Sequence, residues 1–249
     1  MKTLLTLALL TLSTLSLAQE RIALVIGNAD YETSPLITTI NDASEMASAL
    51  SNLGFSVTHL ADANHEQMLQ AIEEFGDKLH EDSVGLFYYA GHAGQYEGEN
   101  YLYPTNIDHI DSAFKLKTGT IPSSIIQESM VESKSKVNFI FLDACRNNPL
   151  AEIIKGVEQG LAKTEGIESE DEAQFFDDEE GNTTRTAGAS NPQTKTVKTA
   201  KGMLISFSTN PGNTASDGSG NHSPYTKHLL EQISKPNLQV EMMLKAVQA

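Results

Sequence analysis

Four short stretches of this chain, Arg21–Ile26, Val84–Ala90, Val137–Leu142 and Gly202–Ser208, are apolar almost throughout and rich in branched and aromatic residues. That is the pattern of strands buried on both faces. Phe55–Leu60 predicts a further strand, and Gln95–Pro104 a hairpin turning at Glu97-Gly98-Glu99-Asn100. Between them the rhythm changes to apolar residues three and four apart. Ala43–Leu53 predicts an amphipathic helix with Asn41 or Asp42 as its N-cap, and Asn64–Leu79 another with Met68, Ile72 and Phe75 on one face. Pro122 to Val131, Ser223-Pro224 to Ile233, and Val240–Val247 complete the helical set. Strands alternating with helices predict an α/β domain whose mostly parallel sheet is covered on both sides.

Two segments fall outside that rhythm. Lys2, the apolar and hydroxyl-rich run Thr3–Leu17, and Ser16-Leu17-Ala18 have the order of a secretory signal peptide cut after Ala18. The expectation is an exported chain, periplasmic or extracellular, without a stable membrane anchor. From Glu165 to Glu180 there are nine acids and no base, and 181–201 then carries Arg185, Lys195, Lys198 and Lys201. So little apolar surface cannot offset the entropy of ordering, so 165–201 is expected to be a mobile linker. The divisions expected are a leader at 1–18, a large region at 19–164, the linker, and a smaller region at 202–249. The roughly 230 residues after the leader suit one domain. A net charge of −16 disfavours nucleic acid and anionic membrane as partners.

The chemistry concentrates where the Val137 run ends, in Asp143-Ala144-Cys145. Cys145 is the only cysteine. In an exported chain a lone cysteine has no disulfide partner, and beyond the carboxyl end of a strand it stands where α/β sheets bind ligands. A small buried side chain is the other reading of such a residue. A nucleophilic thiol needs a base, most often histidine. Of seven histidines, His59, His65, His80, His109, His222 and His228 fall at exposed or turn-like positions and match no metal spacing. His92 instead follows the Val84–Ala90 run among small residues, so parallel strands would bring it to the edge that carries Cys145.

Arg21-Ile-Ala-Leu-Val-Ile-Gly-Asn28, Asn41-Asp42-Ala43, Tyr88-Tyr-Ala-Gly-His-Ala93 and Asp143-Ala-Cys-Arg-Asn-Asn-Pro149 occur in that order. With Lys201–Gly212, Ser216-Asp-Gly218 and Ser223-Pro-Tyr225 they resemble the caspase-type C14 peptidases, closest to the bacterial paracaspase and metacaspase-like branch. His92 stands 53 residues before Cys145, close to the caspase spacing. The resemblance implies a caspase-like α/β/α sandwich and a cysteine endopeptidase with Cys145 as nucleophile and His92 as base. It implies an oxyanion hole made by the backbone N–H groups of Ala93 and Cys145, although Ala93 stands where the family commonly has glycine.

Where aspartate-cleaving relatives have pocket arginines, this chain has Asp217 and a residue near Leu36. Asp42 and Asp143 match acidic positions of the first specificity pocket in paracaspases and metacaspases. Three carboxylates would repel an acidic side chain and pair with arginine or lysine, so basic P1 residues are expected in protein or peptide substrates. Each acid has another reading: Asp42 as a helix cap, Asp217 in an Asp-Gly turn, Asp143 as a partner for backbone donors. Arg185, Lys195, Lys198 and Lys201 become candidate self-cleavage sites. No cofactor is expected; some relatives need calcium, but no loop here has EF-hand spacing. The chain stops inside a predicted helix where the family usually continues to a final strand, so the expectation is either a small region truncated in this sequence or a sheet short of one edge. The competing readings are a catalytically silent caspase-like binding module and a hydrolase of another bond on a similar fold.

Overall fold

The structure, a computed structural model, describes residues 19–107, 109–145, 197–199, 202–209, 215–216, 218, 220–236 and 238–247. The leader, Arg146, Asp217, Arg185, Lys195, Lys201 and most of the predicted linker lie outside the described residues.

Its centre is a six-stranded sheet of order β2-β1-β3-β7-β9-β8. The strands are β1 (Arg21–Gly27), β2 (Ser56–Ala61), β3 (Val84–Ala90), β7 (Val137–Asp143), β8 (Val197–Thr199) and β9 (Met203–Phe207). All neighbours run parallel except β8, which pairs antiparallel with β9. β8 falls within the stretch expected to be a mobile linker. There Val197, Lys198 and Thr199 pair with Ile205, Leu204 and Met203, so three residues of that stretch belong to the sheet. A second, antiparallel sheet joins β4 (Ala93–Tyr96), β5 (Glu99–Leu102) and the two-residue β6 (Ile121–Pro122). Glu97 and Gly98, both at positive φ, make the tight two-residue turn between β4 and β5.

Alternation along the strands builds two cores. Ile22, Leu24 and Ile26 of β1 pack with Met68, Ile72 and Phe75 of α2 (His65–Lys78) and with Ile126 and Met130 of α4 (Ser123–Glu132). Ala23 and Val25 face the opposite way. They meet Met46 and Leu50 of α1 (Thr39–Asn52), with Tyr225 and Leu229 of α5 (Pro224–Ile233) and Leu244 of α6 (Val240–Val247) in the same cluster. A fully buried side chain of this size contributes about 1.5–3 kcal/mol, so both faces of the sheet are held. The expected α/β sandwich with a mostly parallel sheet is the observed fold.

Two local readings differ from the structure. α1 begins at Thr39 with Thr38 at its N-cap, so Asp42 lies inside the first turn and is not the cap. The seven-residue α3 (Ala113–Gly119), capped by Ser112, is absent from the expected set; about two turns carry too little periodicity to stand out. By contrast, Asn64 caps α2 in a full capping box with Gln67, as the local sequence prescribes.

Candidate active site

β1 hands the chain to β2 on one side of the sheet and β3 lies on its other side, so the order reverses at the β1/β3 pair. The crevice outside the carboxyl ends at such a reversal is where open α/β sheets bind ligands. Three loops meet there: the one after β1 with Tyr31 and Ser34, the one after β3 with Gly91 and His92, and the one after β7 with Ala144 and Cys145. Ala90 and Asp143 are register partners, and the Gly91 N–H donates to the Asp143 carbonyl at 3.3 Å. His92 and Cys145 therefore each stand two residues past the same rung of adjacent parallel strands.

The imidazole of His92 is held from both ends. Its Nε2 lies 2.7 Å from the carbonyl oxygen of Ser34. A carbonyl only accepts, so Nε2 donates, and in the neutral ring the lone pair is then on Nδ1. The ring of Tyr31 packs against it with centroids 4.5 Å apart at 51°. The Tyr31 hydroxyl accepts from the His92 N–H at 3.1 Å and donates to the Tyr103 carbonyl at 3.0 Å, while the Tyr89 hydroxyl donates to the His92 carbonyl at 2.7 Å. Burial pushes the Tyr31 hydroxyl up to about 12 and the Tyr89 hydroxyl well above its ordinary range, so both stay protonated donors. The Ser34 loop is closed by the Leu36 N–H on the Ala29 carbonyl at 3.0 Å.

Cys145 is a free thiol, partly exposed. Burial raises its pKa; the N–H of Ala215 opposes this, and the negative charge of Asp143 adds to it. The peptide before it is fixed by Ser208 at the end of β9, whose hydroxyl oxygen accepts from the Ala144 N–H at 3.1 Å. Tyr103 lies close enough to Cys145 for a thiolate to raise its phenol further, after burial has already done so.

Ala93, the other expected oxyanion donor, opens β4. The Tyr103 N–H donates to the His92 carbonyl at 3.0 Å, which makes His92 and Tyr103 a hydrogen-bonded rung. Rungs alternate in an antiparallel ladder, so the next pair, Ala93 and Leu102, is a non-bonded one. The Ala93 N–H accordingly points away from β5.

Asp42 and Asp143 are both buried, in a cluster tied to the start of α5. The Asp42 Oδ1 lies 2.8 Å from Nδ1 of His222, and its Oδ2 accepts from the Ser223 N–H at 3.2 Å. The Asp143 Oδ2 accepts from the hydroxyls of Ser223 and of Thr226, the latter at 2.7 Å. Ser223 also caps α5, accepting from the Thr226 N–H. Burial raises both carboxyls, that of Asp143 to about 6, and the charge of Asp42 adds to the shift at Asp143. Asp42 and Asp143 thus share one electrostatic environment beside the loop that carries the thiol. Asp217 lies outside the described residues.

Sequence reasoning missed Tyr31, Ser34, Tyr103 and His222. His222 was expected to be solvated, but its side chain is only 18% exposed and it reaches α1, 180 residues away. No local signal marks such a contact. Nor does any mark Ser34, which acts through its main chain. Among the described residues no group of three or more His, Cys, Asp or Glu side chains could hold a metal, and no helix is long and apolar enough to cross a membrane.

The chain is similar to human mucosa-associated lymphoid tissue lymphoma translocation protein 1, 30% identical over 131 residues, which are 52% of this chain and 15% of that protein. The Mus musculus homolog matches with the same identity and the same coverage. The chain therefore spans a small part of these curated relatives' length. A family model described as the caspase domain, Peptidase C14, matches residues 20–249. That match runs from the first strand through the last helix, and this chain accordingly belongs to the caspase-domain family of C14 peptidases.

Proposed function

We propose that this chain is an exported cysteine endopeptidase that hydrolyses peptide bonds after arginine or lysine, with Cys145 as nucleophile and His92 as its base. Membership of Peptidase C14 supports a protease function. The carrying observation is that His92, its Nε2 committed to the Ser34 carbonyl, leaves the sheet one strand from Cys145 at the same rung. The leader-like run at Thr3–Leu17 supports export.

In this reading the resting thiol is protonated, since burial raises it. Nδ1 of His92 takes the thiol proton as sulfur bonds to the scissile carbonyl carbon. The oxyanion that forms meets the N–H groups of Ala93 and Cys145, donors of a kind worth about 3 kcal/mol each. The imidazolium then protonates the leaving amine as the C–N bond breaks, and a thioester remains. Water, deprotonated by the same imidazole, attacks that thioester and releases the acid and the thiol. No step calls for a metal or cofactor.

Basic selectivity rests on Asp42 and Asp143, with Asp217 as a third acid, and on aspartate or leucine where an acid-binding pocket would need arginine. A guanidinium would pair with such carboxylates in bidentate fashion, favouring arginine over lysine. The test is a panel of peptides ending in Arg, Lys or Asp before a fluorogenic amide, assayed with calcium and with a chelator. Cleavage after Arg, less after Lys and none after Asp is expected, all lost in Cys145→Ala. No cleavage of any peptide would favour the silent binding module. Self-cleavage at Arg185, Lys195, Lys198 or Lys201 would give different bands for wild type and Cys145→Ala on a denaturing gel. Of these four, Lys198 is paired within β8, and cutting there requires that strand to leave the sheet.

A further inference from the structure

Resting on the basic specificity proposed above, we infer that His222 is a specificity-determining residue: its side chain competes with the substrate's basic side chain for the place beside Asp42. Nδ1 of His222 lies 2.8 Å from Asp42 Oδ1, and Nε2 lies 3.3 Å from Glu45 Oε2. The ring thus lies between two carboxyl groups, hydrogen-bonded to the buried one through Nδ1. Asp42 has no exposed surface, and among the described residues His222 is the basic side chain paired with it. A buried carboxylate is costly without a positive partner. The basic group that stands there is His222.

The position of His222 suits exchange. It lies in the short segment before α5, not within a helix, and one edge of its ring reaches solvent. Its carbonyl packs against Gly218, whose φ is +76° and where a Cβ would sit 2.9 Å from that oxygen. Ala215, a few residues earlier, donates its N–H to the sulfur of Cys145. Ala215 therefore touches the thiol, while His222 and Ser223 touch Asp42. An arriving guanidinium is bidentate and permanently charged, whereas an imidazolium can shed its proton and leave as a neutral ring.

The groups facing this ring or its acids are Asp42 and Glu45 on α1, Asp143 on β7, and the phenols of Tyr88 on β3 and Tyr225 on α5. Burial holds both phenols neutral. Asp143 gains its charge over the same pH range and also favours basic substrates as pH rises. The test must therefore change His222 and leave Asp143 in place.

His222→Gln keeps an amide donor for Asp42 but carries no charge. For a peptide with arginine at P1, the wild-type KM is expected to fall about tenfold from about pH 5.5 to about pH 8. In His222→Gln the low-pH KM is expected to be several-fold below wild type and the pH dependence flatter. A variant whose KM rises and kcat falls alike at every pH would show a structural role only and overturn the inference. A second readout needs no turnover. With ¹⁵N-histidine-labelled Cys145→Ala, saturation with an acetylated tetrapeptide ending in arginine is expected to move the His222 ring signals from imidazolium towards neutral positions. Peptide binding with the His222 signals unmoved overturns the exchange while basic specificity stands. If no basic peptide is bound or cut, the specificity falls, and the exchange with it.

Discussion

The Nε2 of His92 and the carbonyl oxygen of Ser34 are 2.7 Å apart, and that contact joins the loop after β1 to the loop after β3. Ser34 precedes Pro35, which confines the residue before it to extended backbone and so aims its carbonyl. If His92 is the base as proposed, Pro35→Gly is expected to lower kcat about tenfold with little change in KM, because His92 loses its orientation while Asp42 and Asp143 stay in place. Steady-state kinetics on an arginine peptide reads this split; a loss confined to KM would contradict it.

The thiol of Cys145 is raised by burial, so little of it is thiolate at neutral pH. Its alkylation by iodoacetamide is expected to accelerate with pH around a midpoint above the ~8.5 of an ordinary cysteine. A plateau of fast alkylation below pH 7 would instead reveal a resting thiolate–imidazolium pair.

Asp143 titrates near 6 in the folded chain because burial disfavours its charged form, against an ordinary value of 3.8. Between those values the folded state holds a proton that the unfolded state has released. Stability therefore falls as pH rises from about 4 to about 6 and stays lower above that, by on the order of 2–3 kcal/mol. Asp42, raised in the same direction, adds to the slope. Urea denaturation of wild type and Asp143→Asn should show the variant more stable at about pH 7.5 and the gap closing near pH 4. A gap that did not change with pH would rule out this linkage.

Gly91 is fixed by close approach. A Cβ there would lie 2.5 Å from the Tyr89 hydroxyl and 2.8 Å from that of Tyr31. Gly91→Ala is expected to destabilise the fold by about 1–3 kcal/mol and to lower kcat as well, since Tyr31 packs against His92. Tyr89→Phe relieves part of the crowding, and in the double variant some of the stability should return.

Most of the framework was legible in the sequence because its strands are buried on both faces. Val84–Ala90 and Val137–Leu142 are so continuously apolar that little else fits them, and the residues just beyond them were found by that route. Val240–Val247 was equally plain. The acids were harder. Asp42 directly precedes the apolar run Ala43–Leu53, so local pattern offers it as a cap, whereas it lies in the first turn and binds His222 and Ser223. Ser34 left no trace, since any residue but proline and glycine would present much the same carbonyl there. The strand β8 was hidden by its surroundings: three residues at the end of a long polar stretch are outweighed in any compositional window.

The reversal of strand order between β1 and β3 has an evolutionary corollary. The crevice floor is set by a rigid sheet, but its walls come from loops that can lengthen, shorten or exchange side chains without disturbing the strands beneath. Selectivity in such a scaffold can drift quickly under selection while the strand tips stay put. Relatives with the same two strand tips should therefore differ most in diet.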